Sequence, residues 1–331
     1  MNIYYDKDCD PSALKNKKIA ILGFGNQGHA HALNLTDSGL NVRVGLRKNS
    51  ASIAKAKSEG LEVGSIRELC TWGDLIMNLL PDEVQADVYK KEIAPVLNEH
   101  KTLLFAHGFN IHYKQIEPPK NMTIALIAPK GVGAMVRTNY LKGFGVPCLL
   151  AIQQDPQQRA LNEALCYAHH LGCGQAGILE TTFAEETETD LFGEQTVLCG
   201  GLSALIKAAF ETLVDAGYAP ELAYFECLHE VKLIADLLYK GGLTQTRQAI
   251  SNTAQFGDLT RGPRIINDQT KKEMQKILSE IQDGTFAKEW LEEVRSGKEN
   301  FNQLTQTDER HLMETVGRKL RSMIPEFKEK S

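Results

Sequence analysis

A chain of 331 residues with an ordinary composition is long enough for a sizeable core and for two domains. Its formal charge of -5 and pI near 6.0, without any Lys/Arg run interleaved with aromatics, exclude the electrostatic footprint of a nucleic-acid or anionic-membrane binder. Seven cysteines, an odd number without CxxC spacing, exclude a disulfide framework and a zinc site, and Cys166 and Cys227 read as small core residues in helical patterns.

The opening MNIYYDKDCD has neither the apolar core of a signal peptide nor the Arg/Ser-rich look of a transit peptide, and no apolar segment reads as long enough to span a membrane. A cytosolic protein without nucleic-acid or membrane partners is expected. Short apolar runs then alternate with helical patterns. Residues 19–22, 42–46, 75–80, 103–106, 124–128 and 146–152 are strand candidates, and 27–38, 52–59 and 83–97 are helix candidates between them. This alternation predicts a parallel sheet covered on both faces. A helix over 157–171 and an apolar run near 177–179 close the domain at about residue 182.

At the first strand-to-helix turn stands Gly23-Phe24-Gly25-Asn26-Gln27-Gly28, preceded by KKIAIL and followed by HAHALNL. Alone, GxGxxG is weak; directly after a strand and opening a helix, it is the dinucleotide fingerprint of a Rossmann-type α/β domain. The glycines permit a tight turn and let a pyrophosphate approach the helix N-terminus. At the end of the next strand the ribose-binding acid usual for NAD is missing. Arg47 supplies a cation there, and Ser50 and Ser52 supply hydroxyls, a set suited to a 2′-phosphate and hence to NADPH.

The strand ending at residue 80 leads into Pro81-Asp82-Glu83-Val84-Gln85, with Asp82 read as a helix N-cap. The following strands deliver His107-Gly108-Phe109-Asn110 and Pro129-Lys130-Gly131-Val132-Gly133 to the same edge, where ligands bind in such sheets. His107 and Lys130 suit proton transfer or the polarisation of an oxygen.

Beyond residue 183 only helical patterns follow, at about 184–216, 220–239, 243–254, 269–283 and 286–295, ending in FKEKS, which reads as a frayed tail. In TDLFGEQTVLCGG, Asp190 and Glu194 are spaced i,i+4, and Glu226 and Glu230 repeat this on the next helix. On a helical wheel the first pair aligns with Val197, Leu205 and Ala208, the second with Leu222, Ala223, Leu233 and Leu237. Carboxylates on inward-facing stripes are costly without cations, so a two-metal site is expected, of hard ions: Mg²⁺ first, Mn²⁺ second. The Glu226-x-x-His229 spacing of di-iron bundles lacks a second copy and is set aside.

GFGNQGHAHALNL, LLPDEVQ, HGFNI, APKG, TDLFGEQTVLCGG, FECLHE and GPRII together resemble the ketol-acid reductoisomerases (acetohydroxy-acid isomeroreductases) over almost the whole chain, in their short, class I form. The resemblance implies a Rossmann domain over 1–182 and an all-α domain over 183–331 that is knotted and interlocked in a homodimer, with higher assembly of dimers open. It implies Mg²⁺-dependent alkyl migration in 2-acetolactate or 2-aceto-2-hydroxybutyrate and NADPH reduction to the 2,3-dihydroxy acid, in valine and isoleucine biosynthesis. Asp190 would bridge two ions, Glu194 would bind one, and Glu226 and Glu230 would serve the other from the partner subunit. His107 and Lys130 would lie beside the substrate, Ser251 would hold its carboxylate and Cys199 would line the pocket. The chain departs from the family pattern at Asn49, Val132, Ala134, Gln255 and Phe256, none of them a proposed metal ligand.

Two other functions share parts of this pattern. A metal-independent NADP-dependent 2-hydroxy-acid dehydrogenase of the 6-phosphogluconate type would share the Rossmann half and a helical tail but would not need the carboxylates. A non-catalytic dinucleotide sensor would use its acidic helices to bind a partner protein. NADPH oxidation with 2-acetolactate, with and without Mg²⁺, separates these from the reductoisomerase.

Overall fold

The computed structural model describes Met1–Ile324, so the FKEKS tail lies outside the described residues. The chain divides into two compact units, Met1–Thr189 and Asp190 onward.

The first unit is a nine-stranded sheet with helices on both faces. Its strands are β1 (Ile3–Tyr4), β2 (Lys18–Leu22), β3 (Asn41–Gly45), β4 (Glu62–Gly64), β5 (Leu75–Asn78), β6 (Thr102–Phe105), β7 (Thr123–Pro129), β8 (Cys148–Gln154) and β9 (Ile178–Thr181), in the order β1-β9-β8-β7-β6-β5-β2-β3-β4. Between them run α1 (Asn26–Asp37), α2 (Ser52–Ser58), α3 (Ile66–Trp72), α4 (Asp82–Val88), α5 (Phe109–His112), α6 (Gly133–Leu141) and α7 (Ala160–Leu171). Strands β2 to β7 are mutually parallel, so their carboxyl ends share one edge. Alternation decides the faces: on β2, Ile19 and Ile21 join one apolar cluster and Ala20 and Leu22 the other.

The sheet is mixed rather than parallel throughout. Strand β8 runs antiparallel to β7, and β1 antiparallel to β9. After β7 the chain passes through α6 and turns back at Gly143 and Gly145, at φ +74° and +89°, so β8 starts level with the end of β7 and must run the other way. The Gly145 turn is seated on the end of α7, where an added Cβ would lie 1.9 Å from the Gly172 carbonyl oxygen. The helix expected over 83–97 ends at Val88 and continues as a π-helical turn, Tyr89–Ile93, and a 3₁₀ turn, Ala94–Val96.

The second unit is helical. Helix α8 (Phe183–Gly193) leads into it and passes through a π-helical turn, Glu194–Leu198, to α9 (Gly200–Asp215). Then come α10 (Pro220–Tyr224), a second π-helical turn over Phe225–His229, and α11 (Glu230–Ala249), broken at Gly242 (φ 63°, ψ -173°). Helices α12 (Asn252–Ile265), α13 (Asp268–Gln282), α14 (Thr285–Arg295), α15 (Glu299–Glu309) and α16 (Leu312–Met323) complete it. Its own core is small: Phe210, Ala223, Tyr224, Val316 and Leu320.

Two expectations are corrected here. The run Phe183–Asp215 is long and apolar enough, by length and composition, to cross a membrane. Residues 197–214 within it carry only two charged side chains, Lys207 and Glu211. Apart from Ala223, the carboxylate stripes also do not face this unit's core. Val197, Leu222 and Leu233 are more than half exposed, and Phe210 is the buried residue of α9. Each π turn inserts a residue, which rotates everything beyond it by about 100° relative to the ideal wheel.

Candidate active site at the carboxyl edge of the sheet

The fingerprint turn lies where the strand order reverses, with β3 on one side of β2 and β5 on the other. Its glycines serve different ends. Gly23 takes φ +96°, and a Cβ there would strike the Leu79 carbonyl oxygen at 2.7 Å. Gly28 packs the start of α1 onto the fingerprint turn, since a Cβ would meet the Gly23 carbonyl oxygen. At Gly25 a Cβ would meet nothing within 4 Å, and Gly25 is the N-cap of α1 with no side-chain cap. That open cradle before a helix N-terminus fits a pyrophosphate. Phe24 is buried, with its ring edge-on to His29. Asn26 and Gln27 form the first turn of α1, and Gln27 Nε2 donates to the Gly131 carbonyl at 2.9 Å.

Arg47 is exposed beyond β3. Its carbonyl accepts from the Ser50 amide at 3.0 Å, and Ser50 Oγ accepts from the Ser52 amide at 3.3 Å, giving a closed loop that opens α2. At the end of β5, Pro81 rather than Asp82 is the N-cap of α4. Asp82 is its first helical residue, and its carboxylate accepts from Gln85 Nε2 at 3.2 Å and from Asn110 Nδ2 at 3.4 Å. Buried Gln85 also donates to the Leu80 carbonyl at 2.7 Å and accepts from Asn78 at 3.2 Å. This network locks the LLPDEVQ and HGFN turns together; Glu83 lies in the first turn of α4, and Val84 is exposed.

The centre of the edge is a residue that sequence reasoning missed. Glu186, on the first turns of α8, is buried with 1% of its side chain exposed and pairs with both His107 and the Lys130 ammonium. Its Oε2 lies 3.1 Å from His107 Nδ1 and accepts the Gly108 amide at 2.9 Å, and its Oε1 lies 3.0 Å from Lys130 Nζ. Burial pushes the Glu186 carboxyl up, but the hydrogen bond and charge of His107 and the Lys130 ammonium outweigh it, so its net displacement is downward. With Glu186 ionised, His107 Nδ1 must carry a proton, which fixes the ring's orientation. The i,i+4,i+8 series Glu186, Asp190, Glu194 was the available signal.

Gly133 opens α6 against the fingerprint, where a Cβ would come 2.0 Å from the Asn26 carbonyl oxygen. In the second unit Asp190 is half-buried, and Glu194, Glu226 and Glu230 are exposed, each pair flanking or entering a π-helical turn. Such turns recur at functional sites. Within this chain Glu226 and Glu230 join no group of three or more mutually close metal-ligating side chains among the described residues. Cys199 is exposed at the end of the first π turn. Ser251 is the N-cap of α12, its Oγ accepting from the Ala254 amide at 3.1 Å.

A Rossmann-type sheet with an open glycine cradle and a His–Glu–Lys cluster at the same edge defines an NAD(P)-dependent oxidoreductase. Residues 13–177 match the acetohydroxy acid isomeroreductase NADPH-binding domain and residues 183–326 the ketol-acid reductoisomerase C-terminal domain. The chain belongs to the ketol-acid reductoisomerase family. It is similar to a solved NADH-preferring ketol-acid reductoisomerase from an uncultured archean, at 44% identity and TM-score 0.96, over 98% of this chain and 100% of that one. A semialdehyde dehydrogenase NAD-binding protein from Cupriavidus necator shares only the fold, at 18% identity and TM-score 0.61, over 81% of this chain and 99% of that one.

Proposed function

We propose that this reductoisomerase converts 2-acetolactate or 2-aceto-2-hydroxybutyrate to 2,3-dihydroxy-3-methyl acids with NADPH and two Mg²⁺ ions, in a homodimer whose sites are shared between subunits. The observation that carries the reading is the Glu186 clamp on His107 and Lys130 beside the dinucleotide cradle. The substrate loses its hydroxyl proton, an alkyl group moves to the neighbouring carbonyl carbon, and hydride then reduces the new ketone. Lys130 offers a cationic donor to the oxygens that gain charge, and His107 offers an oriented imidazole for proton transfer. Glu186 holds both in register.

The donor set of Asp190, Glu194, Glu226 and Glu230 is all carboxylate, which fits a hard divalent ion. When bound, such ions supply Lewis acidity for the migration. The N-cap hydroxyl of Ser251 at the start of a 14-residue helix fits a substrate carboxylate, and exposed Cys199 fits a pocket wall. Arg47, Ser50 and Ser52 support NADPH, Asp82 to Gln85 at the end of β5 are proposed as further cofactor contacts, and the NADH preference of the archean relative makes NADPH against NADH the comparison to run.

The dimer is supported by apolar surface on the second unit, where Leu243 is 62% exposed and Phe256 64%, with Leu222 and Leu233 beside the carboxylates. The domains are proposed as 1–182 for the dinucleotide and 183–331 for metal and dimer. The deciding experiment follows NADPH oxidation with 2-acetolactate with and without Mg²⁺. Metal-dependent turnover with a 2,3-dihydroxy acid product is expected; metal-independent turnover sinks the assignment in favour of a plain hydroxy-acid dehydrogenase.

A further inference from the structure

The Lys130-Gly131 turn is anchored from three directions. The Lys130 amide donates to the Pro147 carbonyl at 2.8 Å, at the entry to β8. The Lys130 ammonium meets Glu186 at 3.0 Å. The third anchor comes from the dinucleotide fingerprint, where Gln27 Nε2 donates to the Gly131 carbonyl at 2.9 Å across 104 residues of chain. Around that bond the backbones touch. A Cβ at Gly133 would fall 2.0 Å from the Asn26 carbonyl oxygen and 2.8 Å from the Gln27 nitrogen, so the turn between β7 and α6 sits directly on the first turn of α1.

The Gln27 amide has one possible orientation, because a flipped amide would set its oxygen against the Gly131 carbonyl. Its Oε1 is buried with no hydrogen-bond partner among the described residues. The side chain is therefore oriented by its bond to Gly131.

We propose that Gln27 is a positioning residue that couples the dinucleotide turn to the Lys130 turn, so that filling the cradle at Gly25 sets where the Lys130 ammonium stands. This rests on the reading of Lys130 as the group facing the substrate oxygens. The backbone of Gln27 belongs to the helix start that a pyrophosphate engages, while its side chain grips the residue after Lys130. A shift of α1's first turn on binding is passed to the Lys130 turn through one hydrogen bond and one close backbone contact.

Amide hydrogen exchange on the intact protein, with and without NADPH, tests the coupling without relying on turnover. In the native protein NADPH is expected to slow exchange by about tenfold both in peptides over 23–30 and in peptides over 129–137. In Gln27→Met, which keeps the side-chain length but has no donor, the slowing over 23–30 should persist and that over 129–137 should vanish. Turnover number should fall by about tenfold or more while the NADPH dissociation constant, from nucleotide fluorescence, stays within about threefold. Gln27→Asn, one methylene short, should behave as Gln27→Met, which covers a folding failure of either. Retained slowing over 129–137 in the variants overturns the proposal, as does a loss of NADPH affinity equal to the loss of turnover, which would make Gln27 a dinucleotide contact only. Lys130→Met is assayed alongside. Normal turnover in that variant would sink the role given to Lys130 and leave the exchange result to judge the coupling alone.

Discussion

Glu186 Oε1 and Lys130 Nζ lie 3.0 Å apart, and the same carboxylate takes His107 on its other oxygen. One buried charge therefore sets the position of two catalytic candidates from two different strands. Glu186→Gln keeps the shape but removes the charge and turns a donor toward His107 or Lys130. Turnover with 2-acetolactate is expected to fall by about 10²-fold or more, while NADPH binding by fluorescence titration stays near native. A variant with native turnover would show the clamp to be dispensable.

Gly108 is the backbone half of the same clamp. A Cβ there would meet Thr187 Oγ1 at 2.2 Å and the Phe183 carbonyl oxygen at 2.9 Å, pushing the β6–α5 turn off α8. Gly108→Ala should cost about 1–3 kcal/mol in urea unfolding and lower turnover as well, because the Gly108 amide loses Glu186. Loss of stability with unchanged turnover would separate the two effects and count against the clamp.

His31 makes a prediction about pH. Burial pushes its imidazole down to about 3, and Nδ1 pairs with the Tyr167 hydroxyl at 2.9 Å. The folded protein thus keeps this ring neutral while the unfolded chain protonates it near its ordinary value of 6.5. Its contribution is fully present above that ordinary value and is lost as pH falls toward the folded value, by up to about 1.4 kcal/mol per pH unit. Urea unfolding between pH 7 and 5 should show a shallower pH slope for His31→Gln than for the native protein. Equal slopes would mean that His31 is protonated in the fold.

The sequence carried the first unit well because a parallel sheet announces itself through apolar runs, and because Gly23 and Gly28 each answer a local steric need that only glycine meets, while Gly25 leaves the cradle before α1 open. It could not carry the reversal of β8, since an apolar run such as residues 148–154 has no direction of its own. Glu186 stood among Glu185, Glu188 and Asp190, and no spacing rule tells a buried carboxylate from a solvated one on such a turn. The π turns at 194–198 and 225–229 leave no mark on a wheel drawn at constant pitch, so such a wheel turns the carboxylate stripes inward. Their apolar neighbours Val197, Leu222 and Leu233 are exposed in this chain, which is the surface the proposed dimer would cover.

The proposed dimer gives the sharpest test of the shared site. If Asp190 and Glu194 of one subunit meet Glu226 and Glu230 of the other, Asp190→Asn and Glu226→Gln are each inactive as homodimers. Co-expressed, they form heterodimers in which one site combines intact Asp190 with intact Glu226 while the other carries both lesions. Random pairing then restores about a quarter of native activity per subunit, and Mg²⁺ titration calorimetry should recover the same fraction of sites. A mixture that stays inactive would place all four carboxylates in one chain's own site, or in none.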